Sequence, residues 1–95
     1  MLPIVWLPRA RRNLAAIVGF IAQDNPAAAR RIKSLIETSV LPLAEHPYLF
    51  RAGRVPGTRE VVAHPNYVVV YCVTTAAVLV LRVLHARQQF PKQSG

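Results

Sequence analysis

The chain has 95 residues, 53% hydrophobic and 17% charged, with twelve Lys and Arg against four acids and a net charge of +8. A chain of this length is expected to form one domain, residues 1–95, around a core of adequate but modest size, and its composition excludes a disordered chain. Ten of the twelve cations are Arg, which suits phosphate or carboxylate partners because guanidinium forks bind both in bidentate fashion.

Residues 2–7 contain Ile4, Val5 and Trp6 and read as a short strand. Pro8 follows, and it fits the first turn of a helix, where its missing N–H costs nothing. From Pro8 to about Gln23 the apolar residues Ala10, Leu14, Ile17, Val18 and Ile21 fall on one helical stripe, with Arg9, Arg12, Asn13 and Gln23 off it. Gly19 weakens this helix by about 1 kcal/mol relative to Ala and suggests a close packing contact. Asp24, Asn25 and Pro26 punctuate the chain. Asn25 is a good N-cap and Pro26 a good first helical residue, so a second helix starts with almost no loop and the two form an antiparallel hairpin. Ala29, Ile32, Leu35, Ile36, Val40 and Leu43 make the second stripe. Lys33 and Glu37 are an i,i+4 pair worth a few tenths of a kcal/mol, and Pro42 is expected to kink or fray the last turn.

Residues 48–58 are a connector in which two Gly and a Pro mark turns. Tyr48, Leu49 and Phe50 are too apolar for a free loop and are expected to tuck under the helices. Residues 59–63, 67–73 and 78–85 then read as strands, the last two rich in β-branched and aromatic residues. The turn at His64-Pro65-Asn66 and the one at residues 74–77 make them a meander. Residues 86–95 are a basic, polar tail holding Phe90.

The fold class is therefore α+β in two layers: an N-terminal strand, an antiparallel helical hairpin, then a three- to four-strand antiparallel meander. One hairpin covers one face of a sheet. Yet residues 67–73 are apolar on both parities, and such a strand expects cover on both faces. Val69 and Tyr71, with one parity of the last strand, are expected on the face the hairpin leaves bare. Four or five such side chains, at ~1.5–3 kcal/mol each when buried, form a patch that soluble monomers seldom leave open. A partner is expected to cover it, unless the tail or the connector does.

Cys72 is alone, so no intrachain disulfide or cysteine metal site is possible; within an apolar strand it reads as a small core hydrophobe. Nothing speaks against a reducing cytoplasm. Residues 1–8 are apolar and Arg9 to Arg12 follow, the reverse of a secretion signal. Residues 68–81 are shorter than the roughly 20 needed to span a membrane. No three-ligand metal spacing and no Gly-rich phosphate loop before a helix is present, so neither a metal nor another cofactor is expected. His46 and His64, each beside a Pro, read as solvated turn residues.

Five segments carry a resemblance: Trp6-Leu7-Pro8-Arg9-Ala10, Ile21-Ala22-Gln23-Asp24-Asn25-Pro26-Ala27-Ala28-Ala29-Arg30-Arg31, Leu43-Ala44-Glu45-His46-Pro47, Gly53-Arg54-Val55-Pro56-Gly57-Thr58-Arg59-Glu60-Val61, and Val83-Leu84-His85-Ala86-Arg87. In this order the chain resembles the ParE toxins of the ParE/RelE superfamily of bacterial toxin–antitoxin systems over about residues 3–91. The resemblance implies a helical hairpin on an antiparallel sheet with the first strand beside the last. It also implies an antitoxin encoded alongside that wraps the toxin, and a setting such as plasmid stabilisation; this fits the face expected to be bare, whose Val69 and Tyr71 are the candidate antitoxin-binding residues. DNA is then contacted only through the antitoxin or the target.

The superfamily has two mechanisms: ParE-type toxins are non-enzymatic poisons of DNA gyrase, and RelE-type toxins are ribosome-dependent mRNA endonucleases. An endonuclease using the 2′-hydroxyl needs a general base, a general acid and positive charge on the scissile phosphate. The candidates are His85 as acid or base, with Arg59 and Arg82 clamping phosphate. Strand parity argues against one site, because Arg82 and His85 are three apart and point to opposite faces of an unbroken strand. Pairing of Arg59 and Arg82 with Glu60 or Glu45 is an equal alternative, and for His85 a strand-end histidine bonded to backbone is the favoured one. Direct nucleic-acid binding is favoured by charge, but no helix-turn-helix or stacking platform is evident; a small basic adaptor is the plainest alternative. The gyrase-poisoning toxin is the reading adopted, with the RNase second. For target contact the tail offers Arg87, Lys92 and Phe90, as the resemblance also implies for the C-terminal end.

Overall fold

The computed structural model of the protein describes residues 1–91. In chain order it contains β1 (Ile4–Trp6), α1 (Pro8–Ala22), α2 (Pro26–Ser39), a 3-10 turn (Leu41–Ala44), β2 (Arg59–His64), β3 (Tyr67–Val73) and β4 (Val78–His85). The sheet order is β1-β4-β3-β2; β2, β3 and β4 form the antiparallel meander, and β1 joins β4 in parallel. The hairpin lies on one face, α1 on β4 and α2 on β2. None of the described helices is long and apolar enough to cross a membrane.

The helix boundaries follow from local chemistry. Asn25 Oδ1 accepts the Ala28 N–H at 3.0 Å, satisfying one orphan donor of α2. α2 ends at Ser39, ahead of Pro42, and the chain tightens into the 3-10 turn. The Leu2 N–H then bonds the Ala44 carbonyl at 2.9 Å, tying the N-terminal segment to that turn. Three expectations are corrected. Leu35 is exposed rather than on the buried stripe of α2. A Cβ on Gly19 would meet nothing within 4 Å, so no packing contact requires that glycine. Tyr48 and Leu49 are exposed, and of the three apolar connector residues only Phe50 packs against the core.

β3 is the centre of the sheet and its two side-chain rows have different fates. Val69 and Tyr71 are 0% exposed and pack in the core with Leu14, Ile36, Leu43 and Val80. The expectation that Val69 and Tyr71 lie on the bare face is therefore corrected: they lie under the helices. The physical reason is side-chain size. The row Tyr67, Val69, Tyr71, Val73 carries more apolar area than the row Val68, Val70, Cys72, so covering it removes more surface from water. Nor is the opposite face bare. Glu60, Val68, Val70 and Leu84 there are at most 3% exposed, and apolar exposure survives at its margins, in Val5 (40%) and Val62 (54%). Cys72 is half-buried on that face, not in the core.

β4 carries a bulge. Tyr71 stands opposite Val80 but Val70 opposite Arg82, so Leu81 is the extra residue. Before it, Val78 and Val80 face the helices; after it, Val83 does, opposite Val69. Arg82 and Leu84 fall on the other side, opposite Val70 and Val68.

The connector is built against β2. Ala52 bridges to Arg59, the Gly53 N–H bonds the Thr58 carbonyl at 2.8 Å, and the Thr58 N–H bonds the Val55 carbonyl at 3.1 Å. Pro56 and then Gly57, at φ +83°, sit at the centre of that turn, as a type II turn requires. Gly53 has no room for a side chain, since a Cβ would collide with the Thr58 hydroxyl and crowd its backbone. The turn presents Arg54 to the buried Glu60. The Arg54 N–H and Nε reach Glu60 Oε2 at 3.0 and 2.9 Å, and Nη2 reaches Oε1 at 3.1 Å. Arg51 Nη2 lies 3.9 Å from Oε1. Burial alone would raise the Glu60 carboxyl, but the Arg54 hydrogen bonds and the charges of Arg54 and Arg51 outweigh it and hold it below its ordinary 4.5.

Two outcomes are expected. Tyr71→Ala should cost about 3–5 kcal/mol in urea unfolding, as truncation of a large core side chain does; a loss within the range of surface substitutions would contradict its burial. Glu60→Gln should destabilise the fold by about 1–3 kcal/mol at pH 7, because the Arg54 donors lose a charged acceptor. A depressed carboxyl contributes in full above its unfolded value and loses that contribution as pH falls through its folded value. The gap between wild type and variant should therefore be complete at neutral pH, close below pH 4.5 and vanish in more acidic solution. Urea unfolding across that range measures it.

Candidate functional site

β1 pairs with β4 only through Val78–Val80, and beyond Leu7, whose N–H bonds the Val80 carbonyl at 3.0 Å, the chain turns into α1. The rest of β4 is therefore a sheet edge with donors to satisfy. Asn13 of α1 satisfies one. Its Oδ1 accepts the Val83 N–H at 3.1 Å and the Arg82 Nε–H at 2.9 Å. One side chain thus docks α1 on the edge and aims the arginine that follows the bulge.

Arg82 also stacks on Phe90, its guanidinium carbon 5.2 Å from the ring centroid. The tail turns back at residues 86–88, where the Ala86 N–H bonds the Asn66 carbonyl at 2.7 Å and the Gln88 N–H bonds the His85 carbonyl at 2.8 Å. It encloses a pocket of ≈ 380 Å³ lined by Arg9, Arg82, Gln88, Gln89, Phe90 and Pro91. Burial and then the charge of Arg9 both lower the Arg82 pKa from its ordinary value. Arg87 is exposed, Phe90 half-buried, and Lys92 lies outside the described residues.

His85 lies on the helix side of the sheet, opposite Tyr67, the rings edge-to-face at 5.5 Å. Its Nδ1 accepts the Arg87 N–H at 3.1 Å. It lines a groove of ≈ 410 Å³ with Asn13, Ile17, Phe20, Tyr67 and Val83, in which Phe20 is 72% exposed. Arg59 is spent on the connector, with Nη1 2.8 Å from the Phe50 carbonyl and the guanidinium 4.9 Å from the Tyr48 ring centroid. Burial raises the Tyr71 phenol, and the nearby Arg59 offsets part of that.

The three residues of the nuclease reading are not brought together. Arg59 stands opposite Tyr71 and His85 opposite Tyr67, four positions along β3 and so about 13 Å apart along the strand. Arg82 and His85 remain on opposite faces, because the bulge precedes both. Neither arginine pairs with Glu45 or Glu60; Arg54 and Arg51 take Glu60. Sequence reasoning missed Asn13, Arg9 and Arg54. Asn13 looks like any polar residue off a helical stripe, and its role depends on where β1 stops. Arg54 carried a signal: an Arg in a Gly-flanked turn shortly before a strand bearing the region's only acid.

Residues 4–90 match the family model described as the ParE toxin of the type II toxin–antitoxin system parDE. Y4kP, a protein of Sinorhizobium fredii, is 42% identical over 90 residues, covering 94% of this chain and 93% of that one. The toxin RelE2 of Caulobacter vibrioides is 37% identical over 86 residues, covering 90% and 97%. Among solved structures, the chromosomal ParDE TA system from P. aeruginosa shares the fold with a TM-score of 0.80 at 22% identity, over 90% of this chain and 96% of that one. With the hairpin, meander and flanking strand in place and the match spanning nearly the whole chain, this protein belongs to the ParE toxin family of type II toxin–antitoxin systems.

Proposed function

We propose that this toxin acts in the cytoplasm as a non-enzymatic inhibitor of DNA gyrase and that a cognate antitoxin neutralises it. The ParE family match supports the reading, as does the likeness to a ParDE system. The observation that carries it is the separation of Arg59, Arg82 and His85. General acid–base catalysis needs its groups within hydrogen-bond reach of one reacting centre. Here Arg59 is bonded to a backbone carbonyl, Arg82 is held by Asn13 on the opposite face from His85, and His85 lies four positions along β3 from Arg59. A RelE-type, ribosome-dependent mRNA endonuclease is the second reading, favoured by the 37% identity to RelE2. With Val69 and Tyr71 buried, the exposed apolar side chains open to an antitoxin include Phe20 and Leu35 on the helices and Val5 and Val62 at the margins of the sheet.

The test is a supercoiling assay with purified gyrase beside an mRNA cleavage assay on ribosomes, using one preparation of wild type and His85→Ala. Gyrase inhibition should be largely unchanged by the substitution. Ribosome-dependent cleavage that falls by ~10²–10⁴-fold in the variant would replace the gyrase reading with the nuclease one.

The tail is the proposed target contact, through Arg87, Phe90 and Lys92, because cations beside an aromatic group suit an acidic or nucleic-acid-bound surface. A chain stopped after Ala86 should fold and bind antitoxin yet no longer inhibit gyrase at matched concentration. Equal inhibition by the two chains would make the tail dispensable and move the contact to the helical hairpin or to residues 51–59.

A further inference from the structure

We propose that Arg9, Arg82 and residues 88–91 form a binding pocket for a phosphomonoester dianion. This site is independent of whether gyrase is the target. Three features carry it. First, Arg82 is preset. Asn13 holds its Nε, Phe90 supports its plane, and among the described residues its two terminal amino groups have no hydrogen-bond partner. A guanidinium fixed through Nε and one face presents its remaining donors at little entropic cost.

Second, positive charge accumulates there without an acid. Arg9 and Arg82 line one pocket, and Arg9 sits in the first turn of α1, which has no acidic residue and no side-chain cap. The end of a helix that points its free N–H groups outward adds further positive potential. The acids that do form ion pairs are used elsewhere: Glu37 pairs with Lys33, and Glu60 with Arg54 and Arg51. Among the described residues no carboxylate lies within ion-pair distance of Arg9 or Arg82. Burial first, and then the charge of Arg9, lower the Arg82 pKa.

Third, the pocket walls suit a phosphate ester. Gln88 and Gln89 carry amide donors, and Phe90 and Pro91 form an apolar side against which the esterified group can lie. A carboxylate brings one negative charge and one planar edge, which satisfies one fork. A phosphomonoester brings about two charges and three terminal oxygens, enough for two guanidiniums at once.

The experiment is a titration of the isotope-labelled full-length chain, followed by the amide signals of Gln88 to Phe90 and the Nε–H signal of Arg82. The probes, at matched ionic strength, are inorganic phosphate, acetate, and a short deoxyoligonucleotide with and without a 5′-phosphate. Saturable shifts with phosphate and with the 5′-phosphorylated strand, absent with acetate, are expected. Tighter binding of the phosphorylated strand assigns the site to an ester; equal binding assigns it to the phosphate group alone, and either supports the pocket. Arg9 is exposed, so Arg9→Gln should keep the fold while weakening phosphate binding about tenfold, the scale of one charged hydrogen-bonding partner, and Arg9→Lys should restore part of it. Shifts of equal size with acetate, equal binding of the unphosphorylated strand, or unchanged affinity in Arg9→Gln would overturn the proposal.

Discussion

The bulge at Leu81 decides which side chains of β4 face the helices, and most of what is distinctive here depends on it. Had β4 run on unbroken from Val78 and Val80, Arg82 and Leu84 would face the hairpin and a charge would enter the core, at a cost no nearby carboxylate could offset. One extra residue reverses the parity. Val83 joins Val69 under the helices, Leu84 completes the opposite face, and Arg82 is left near the edge where Asn13 can take its Nε. Because the bulge lies before both, the regular strand from Arg82 to His85 keeps these two on opposite faces, and the bulge decides that it is His85 that faces the helices.

A second constraint acts at the other side of the sheet. Glu60 stands opposite Val70, is 3% exposed, and would be costly there without partners. Three hydrogen bonds from Arg54 answer that cost and fix the connector in the same step. Because the chain has only four acids, using one in this clamp and one on α2 leaves most of the ten arginines without a carboxylate. The +8 charge is therefore concentrated on surfaces such as the Arg9–Arg82 pocket rather than neutralised within the fold, and it favours partners that bring negative charge.

The candidate site was legible only in part. His85 at a strand end bonded to backbone, and the parity argument separating it from Arg82, could be read from spacing because β-strand periodicity is local. The tail residues Arg87 and Phe90 were visible as chemistry but not as placement: only folding shows that Phe90 turns back beneath Arg82. Val69 and Tyr71 were assigned to the wrong face. Both parities of β3 are apolar, so alternation was silent; the two tyrosines on one row were the clue, through the larger area they bury.

The sequence by itself determined the elements and their order. Pro8, the Asn25-Pro26 cap, Pro42, the Pro56-Gly57 turn and the Val-rich runs act on the chain within a few residues, through fixed φ, capping hydrogen bonds and strand propensity, and the elements follow them closely. Tertiary structure decided the rest: the parallel seat of β1 on β4, the bulge, the face that the hairpin covers, and the meetings of Asn13 with Arg82 and of Arg54 with Glu60. These depend on which arrangement buries the most apolar area while leaving every buried charge and edge N–H a partner. That balance is struck over the whole sheet at once, between residues as far apart as Asn13 and Val83, so no local stretch of sequence contains it.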